Sequence, residues 1–174
     1  DATMMDSNLP YSVDDWVVHT QYGVGQIKRI EVKPIHGETT NCFKVRTNDC
    51  TYWFPTNDID NPRIRSVASK DVINKVIKNL RRKSSRLDTD RKIWKQRIEE
   101  AQADGDLITL SIIIRDLSTQ KKLRQLNQTE DDALEYFKDR LVREWASITE
   151  EDIETLRTSL QAYIEESQSK VKVE

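Results

Sequence analysis

The sequence predicts an α+β chain: a small half-open β-barrel followed by a compact bundle of about five helices. Three observations carry this. Up to residue 67, short runs rich in β-branched and aromatic residues alternate with Gly, Pro, Asn and Asp. From Ser69 to residue 166 the apolar spacing takes the helical period. The 36% hydrophobic and 33% charged content of 174 residues suits two small cores better than one large one. The expected domains are therefore 11–67 and 69–166.

The strands expected are Trp16–Val18, Val24–Val32, Cys42–Arg46, Thr51–Phe54 and Ile64–Val67. Gln21-Tyr22-Gly23 and Thr47-Asn48-Asp49 have hairpin chemistry, because Gly and Asn accept positive φ. Pro34-Ile35-His36-Gly37 reads as the one longer loop, and Gly23-Val24-Gly25 as a turn. Five strands this short must curl to bury one face, which favours a small barrel.

In the helical half, Ser69 is placed to cap a first helix with a stripe of Val72, Ile73, Val76, Ile77 and Leu80. A polar link, Lys83 to Thr89, follows. Asp90 opens a second helix carrying Trp94, Ile98 and Ala101, and Gly105 stops it. Asp106 caps a third with Leu107, Leu110, Ile113, Ile114 and Leu117. Thr129-Glu130-Asp131-Asp132 resembles a capping box for a fourth, with Leu134, Phe137, Leu141 and Trp145 inward. Thr149-Glu150-Glu151-Asp152 repeats the device for a fifth, with Ile153, Leu156, Leu160 and Tyr163. The tail from Ser167 has no stripe and is expected to fray.

Charge is unevenly spread. The net charge is −2, yet Asp71 to Arg97 holds 10 basic residues against 3 acidic, and Thr129 to Glu174 holds 6 against 13. A basic island in an acidic chain points to a polyanion contact. The competing reading is a solvated helix face in a module that binds only other proteins. Salt separates the two, since phosphate contacts weaken steeply with ionic strength.

Catalysis finds no constellation. His19 and His36 lack partners at metal-ligand spacing, and Cys42 and Cys50 are too few for a zinc site or a disulfide scaffold. The carboxylate pairs sit at turns, helix starts or solvated faces. Neither a metal nor a cofactor is expected, nor an enzyme. No apolar run reaches membrane length, and Asp1–Pro10 lacks the pattern of a leader, so the expected compartment is the cytoplasm.

Aromatic side chains among cations are apparatus for gripping nucleic acid. Trp94 stands among Arg91, Lys92, Lys95 and Arg97, although its register with Ile98 and Ala101 suits core packing equally. Trp16, Trp145 and Tyr163 follow apolar stripes and read as core. Tyr52-Trp53-Phe54-Pro55 is too apolar for one strand to bury entirely, so part of it should face a partner.

The run Val13-Asp14-Asp15-Trp16-Val17-Val18-His19-Thr20-Gln21-Tyr22-Gly23-Val24-Gly25-Gln26-Ile27 resembles the opening of the CarD/CdnL family of bacterial transcription regulators, a module shared with the transcription-repair coupling helicase. Gly105-Asp106-Leu107, Ile113-Ile114-Arg115-Asp116-Leu117 and Leu141-Val142-Arg143-Glu144 resemble helical segments of that family in order and spacing. The resemblance implies a Tudor-like, SH3-like β domain that binds the RNA polymerase β subunit. It also implies a helical domain that touches promoter DNA at the upstream edge of the melted bubble, where an aromatic wedge in the minor groove stabilises the open complex. The polymerase contact is then expected at Lys33 and Trp53, the DNA contact at Arg81, Arg82, Arg86, Arg91, Lys92, Trp94, Lys95 and Arg97, and the protein as a monomer.

Two departures from the family pattern matter. Counting back from Gly105-Asp106 without a gap, the wedge tryptophan falls on Arg91, with Trp94 one turn further on; either the wedge has moved, or a small gap realigns it, or Arg91 serves as a minor-groove cation. Trp53 replaces a basic residue, which makes the polymerase contact more apolar. Asp14 and Thr20 stand where Gly and Pro are common.

Overall fold

A computed structural model describes residues 8–171 apart from Arg86, Asp88 and Thr89. The chain divides into two compact units, one ending at Val67 and the other beginning at Ala68.

The first unit is an antiparallel sheet of β1 (Trp16–His19), β2 (Gly23–Ile35), β3 (Glu38–Thr47), β4 (Thr51–Pro55) and β5 (Ile64–Ser66), in the order β4-β3-β2-β1-β5. β4 and β5 are its two edges, yet Phe54 and Ile64 share one core with Val17, Ile27, Phe43, Val45 and Tyr52. The sheet therefore curls on itself without closing, as five short strands must to bury a single face. All five expected strands are present.

Details of the turns differ from expectation. The longer loop at Pro34 is in fact a two-residue turn, His36-Gly37, with φ of 50° and 81°, the twist a tight hairpin needs. Gly23-Val24-Gly25 opens β2 and is not a turn; a Cβ on Gly25 would lie 2.7 Å from Val45 Cγ1. Trp16 is not core but 37% exposed, because strand alternation turns it away from Val17, which is fully buried. Asp14 has φ 76°, which accounts for the glycine expected at its position.

The second unit comprises α1 (Lys70–Arg81), α2 (Arg91–Asp104), α3 (Leu107–Leu123), α4 (Gln128–Thr149) and α5 (Ile153–Ser169). α3 is the axis and packs against the other four. Its residues from Ser111 to Gln120 are buried with the exception of Ile112, so a helix surrounded on all sides must bury polar groups too. The expected stripes of α1, α2 and α4 all face this core, Trp94 at 0% exposure among them.

The caps show where local chemistry competed. Asp90 and Asp106 accept backbone N–H groups as expected, and Gly105 ends α2 at φ 63°. Ser69 occupies the N-cap position of α1, but its hydroxyl caps nothing. α4 starts two residues before the expected site, on a reciprocal box of Asn127 and Glu130, since only a Glu three residues on can reach back to the cap. Thr149 closes α4 and Asp152 caps α5. Ser167 does not fray: it is buried, and its hydroxyl donates to the Arg82 carbonyl.

A buried charge cluster joins three elements. Asp116 of α3, fully buried, accepts from Arg97 Nη2 of α2 at 2.6 Å, from Arg115 Nε at 3.0 Å and from the Ser84 hydroxyl after α1. Arg115 Nη1 in turn donates to the Asn79 carbonyl at 3.2 Å. Removing one member leaves buried charge uncompensated, so Asp116→Ala is expected to destabilise the protein by about 3–5 kcal/mol in chemical denaturation. Trp94→Ala should cost roughly the same through its cavity. Arg91→Ala, at the surface, should stay within about 1 kcal/mol.

Glu130 gives the acid limb of stability. Burial alone would raise its carboxyl, but Arg124, the Asn127 N–H and Arg91 outweigh it and hold the group below the usual carboxylate range. A depressed folded pKa contributes stability that is present above the unfolded value near 4.5 and is lost as pH falls through the folded value. Glu130→Gln is therefore expected to flatten the acid side of a Tm-versus-pH profile.

Candidate functional site

On the β domain the site begins with a bulge. Between Ile27 and Arg29 the β2–β3 register shifts by one residue, so Lys28 is extra. Before it, odd-numbered β2 residues face the core, as Ile27 opposite Val45; after it, Arg29 lies opposite the outward Lys44, and Ile30 opposite the core residue Phe43. Arg29, Glu31 and Lys33 are thereby turned to the outer face, where Lys44 pairs in turn with Trp53 on β4.

Trp53 is 40% exposed while its neighbours Tyr52 and Phe54 are buried, as alternation requires of an edge strand. Its indole N–H donates to Glu31 Oε2 at 2.9 Å. Lys33 Nζ lies 4.4 Å from the ring centroid and Lys44 Nζ 5.9 Å. Glu31 also pairs with Arg29 and, at 3.6 Å, with Lys44. The Trp53 N–H and then Arg29 hold the Glu31 carboxyl below the usual carboxylate range. Three cations around one carboxylate leave the face net positive, with an aromatic plate fixed at its centre. Tryptophan is among the residues enriched at interface hot spots.

The expected basic residues of the helical domain meet different fates. Trp94 is internal, with the Arg97 guanidinium 4.7 Å over its ring, so in this fold it reaches no groove. Arg97 is committed to Asp116 and its side chain is 12% exposed. Both leave the candidate surface because the α2 stripe and the buried cluster claim them. Arg86 lies outside the described residues. Arg81 is held by both oxygens of Glu166, at 2.8 and 3.2 Å.

Arg82 after α1, and Arg91, Lys92 and Lys95 in the first turns of α2, are exposed, as is Arg81 despite its bonds to Glu166. Arg91 Nη1 bonds Glu130 at 2.9 Å, yet half of its side chain faces solvent. Lys92 and Lys95 have no carboxylate partner among the described residues. α2 carries no acidic residue in its first turn, unlike α1, α4 and α5. Even with the Asp90 carboxylate on the cap and Glu130 on Arg91, the three cations leave this helix end net positive, which raises the local potential toward anions.

Sequence reasoning missed Arg29, Glu31 and Lys44 beside Trp53, and Glu130 beside Arg91. Simple alternation places Ile27, Arg29 and Glu31 on one face; only the bulge separates them. Taking Lys28 into a regular ladder would turn Arg29 and Glu31 toward the core, whereas deleting it removes the bulge and leaves Arg29 opposite Lys44 and Ile30 opposite Phe43. The deletion is therefore expected to keep the Trp53–Glu31 contact and to cost no more than about 1 kcal/mol in chemical denaturation, and Lys28→Ala should change little.

Two protein families match the chain. The CarD-like/TRCF RID domain matches residues 11–68, and the CarD C-terminal domain matches residues 75–161. No curated protein matches. The first match spans the curled sheet with its Trp53 face, and the second spans the α3-centred bundle with the exposed cations of α2. The chain thus belongs to the CarD/CdnL family of RNA polymerase-interacting transcription factors.

Proposed function

We propose that the β domain docks on the β subunit of bacterial RNA polymerase through the Trp53 face, and that the helical domain steadies promoter DNA at the upstream bubble edge, prolonging the open complex. The observation that carries the DNA part is the exposed trio Arg91, Lys92 and Lys95 at the N-terminus of α2, set there without a carboxylate in the helix's first turn. Phosphates would be held by Lys92, Lys95 and Arg82 with little sequence preference, since backbone contacts carry none. Arg91, at the position where the family resemblance puts the wedge, would enter the minor groove as a cation. Trp94 supports this surface from beneath.

The docking part rests on Trp53 and Lys33. The ring offers apolar area in a fixed orientation, and Lys33, Lys44 and Arg29 surround it with positive charge, which suits a partner surface of apolar residues rimmed by carboxylates. Neither domain has a catalytic part in this proposal.

Two measurements test it. The lifetime of a promoter open complex should fall several-fold with Arg91→Ala and stay near wild type with Trp94→Phe, which keeps the core filled. A shortened lifetime for Trp94→Phe at unchanged Tm would return the wedge role to the tryptophan. In a pull-down with a polymerase β-subunit fragment, Trp53→Ala and Lys33→Glu should each lose most of the captured protein; full retention by both would remove the docking assignment.

A further inference from the structure

Four serines of the chain follow an arginine by three residues: Ser66, Ser84, Ser85 and Ser118. That spacing suits a serine kinase with an acidic peptide groove, because the arginine pairs with a groove carboxylate while the hydroxyl reaches the nucleoside triphosphate. The fold separates the four. Ser66 belongs to β5, where it pairs with Val17. Ser118 is buried on α3, and Ser84 is buried with its hydroxyl donating to Asp116. Of the four, only Ser85 is both exposed and outside helix and strand.

Its surroundings complete the pattern. Arg82, three residues before it, is exposed and has extended backbone, φ −70° and ψ 153°, so the chain leaves α1 in the form that a peptide groove accepts. Lys83 adds a second exposed cation between them. Ser84 anchors the link against α2, since the Asp116 carboxylate that takes its hydroxyl also takes Arg97 Nη2 at 2.6 Å. Arg97 is only about 9 Å of helix from Arg91. Ser85 therefore stands beside the cations at the start of α2.

We propose that Ser85 is a phosphorylation site for an arginine-directed serine kinase, and that its phosphate turns off the DNA-holding cations of α2. The kinase transfers the γ-phosphoryl group of ATP to Ser85 Oγ. The new O–P bond forms as the bond to the departing ADP oxygen breaks, and the hydroxyl proton passes to the carboxylate base of the kinase. The phosphoserine carries about 1.5 to 2 negative charges at neutral pH. Near Arg82, Lys83, Arg91 and Lys92 it competes with DNA phosphates for the same cations and repels the duplex. This regulatory half rests on the DNA reading given above; the modification itself does not.

Incubating the full chain with ATP and the catalytic subunit of cyclic-AMP-dependent kinase, followed by intact mass and peptide sequencing, tests the site. One phosphoryl group per chain is expected, on Ser85. Ser85→Ala, at an exposed position, should fold normally and abolish it, Arg82→Gln should slow it about tenfold, and Ser66→Ala should leave it unchanged. No incorporation into the unsubstituted chain, or incorporation that survives Ser85→Ala, would overturn the proposal. The phosphorylated chain should then bind a polymerase–promoter complex about tenfold more weakly than the unmodified chain at low salt. Equal affinity would overturn the regulatory half if joint replacement of Arg91, Lys92 and Lys95 by Ala still weakens binding. If that triple substitution changes nothing either, the DNA reading fails and takes the regulatory half with it, while phosphorylation of Ser85 stands.

Discussion

The helical domain turns on one buried carboxylate. Asp116 is fully enclosed and collects Arg97, Arg115 and Ser84, thereby tying α3 to α2 and to the segment after α1. Two guanidiniums and a hydroxyl on one carboxylate satisfy charge and hydrogen bonds that water would otherwise have to supply, which is the condition for retaining ions in a core. The arrangement also fixes direction. Arg97 is drawn inward and stacks on Trp94, and α2 can then lie only with Arg91, Lys92 and Lys95 outward. The exposed cations are thus a consequence of the buried ones.

The β domain obeys a comparable constraint of another kind. One extra residue, Lys28, divides β2 into a half whose odd positions are core and a half whose odd positions face outward. Were Lys28 taken into a regular ladder instead of bulging out, Glu31 would turn inward, and the Trp53 plate would lose the hydrogen bond that orients it. Packing geometry, more than composition, builds both candidate surfaces.

Much of the fold was legible in the sequence because periodicity reports burial. Strand runs such as Thr51–Phe54 and stripes such as Trp94, Ile98 and Ala101 were visible in spacing alone, and the hairpin at Tyr22-Gly23 in its turn chemistry. The losses have physical causes. Periodicity counts apolar residues, so it could not see that Arg115, Asp116 and Glu130 are buried and that Arg97 is drawn in to 12% side-chain exposure. Trp94 satisfied two descriptions, a core stripe and an aromatic among cations, and only the packing separates them. Asn127-x-x-Glu130 was a readable capping box, but Thr129 offered a competing hydroxyl two residues later. The bulge at Lys28 leaves no compositional mark, and for that reason only two members of the Trp53 cluster were expected.

The central claim is that the outward cations of α2 meet promoter phosphates while the tryptophan between them is structural. The salt dependence of association with a polymerase–promoter complex addresses it most directly. Because each phosphate contact contributes about 0.9 to the slope of log affinity against log salt, replacing Arg91, Lys92 and Lys95 together by Ala should lower that slope by roughly two to three. A slope unchanged by the triple substitution, with the folded state intact, would contradict the claim and leave the helical domain as a protein-binding module.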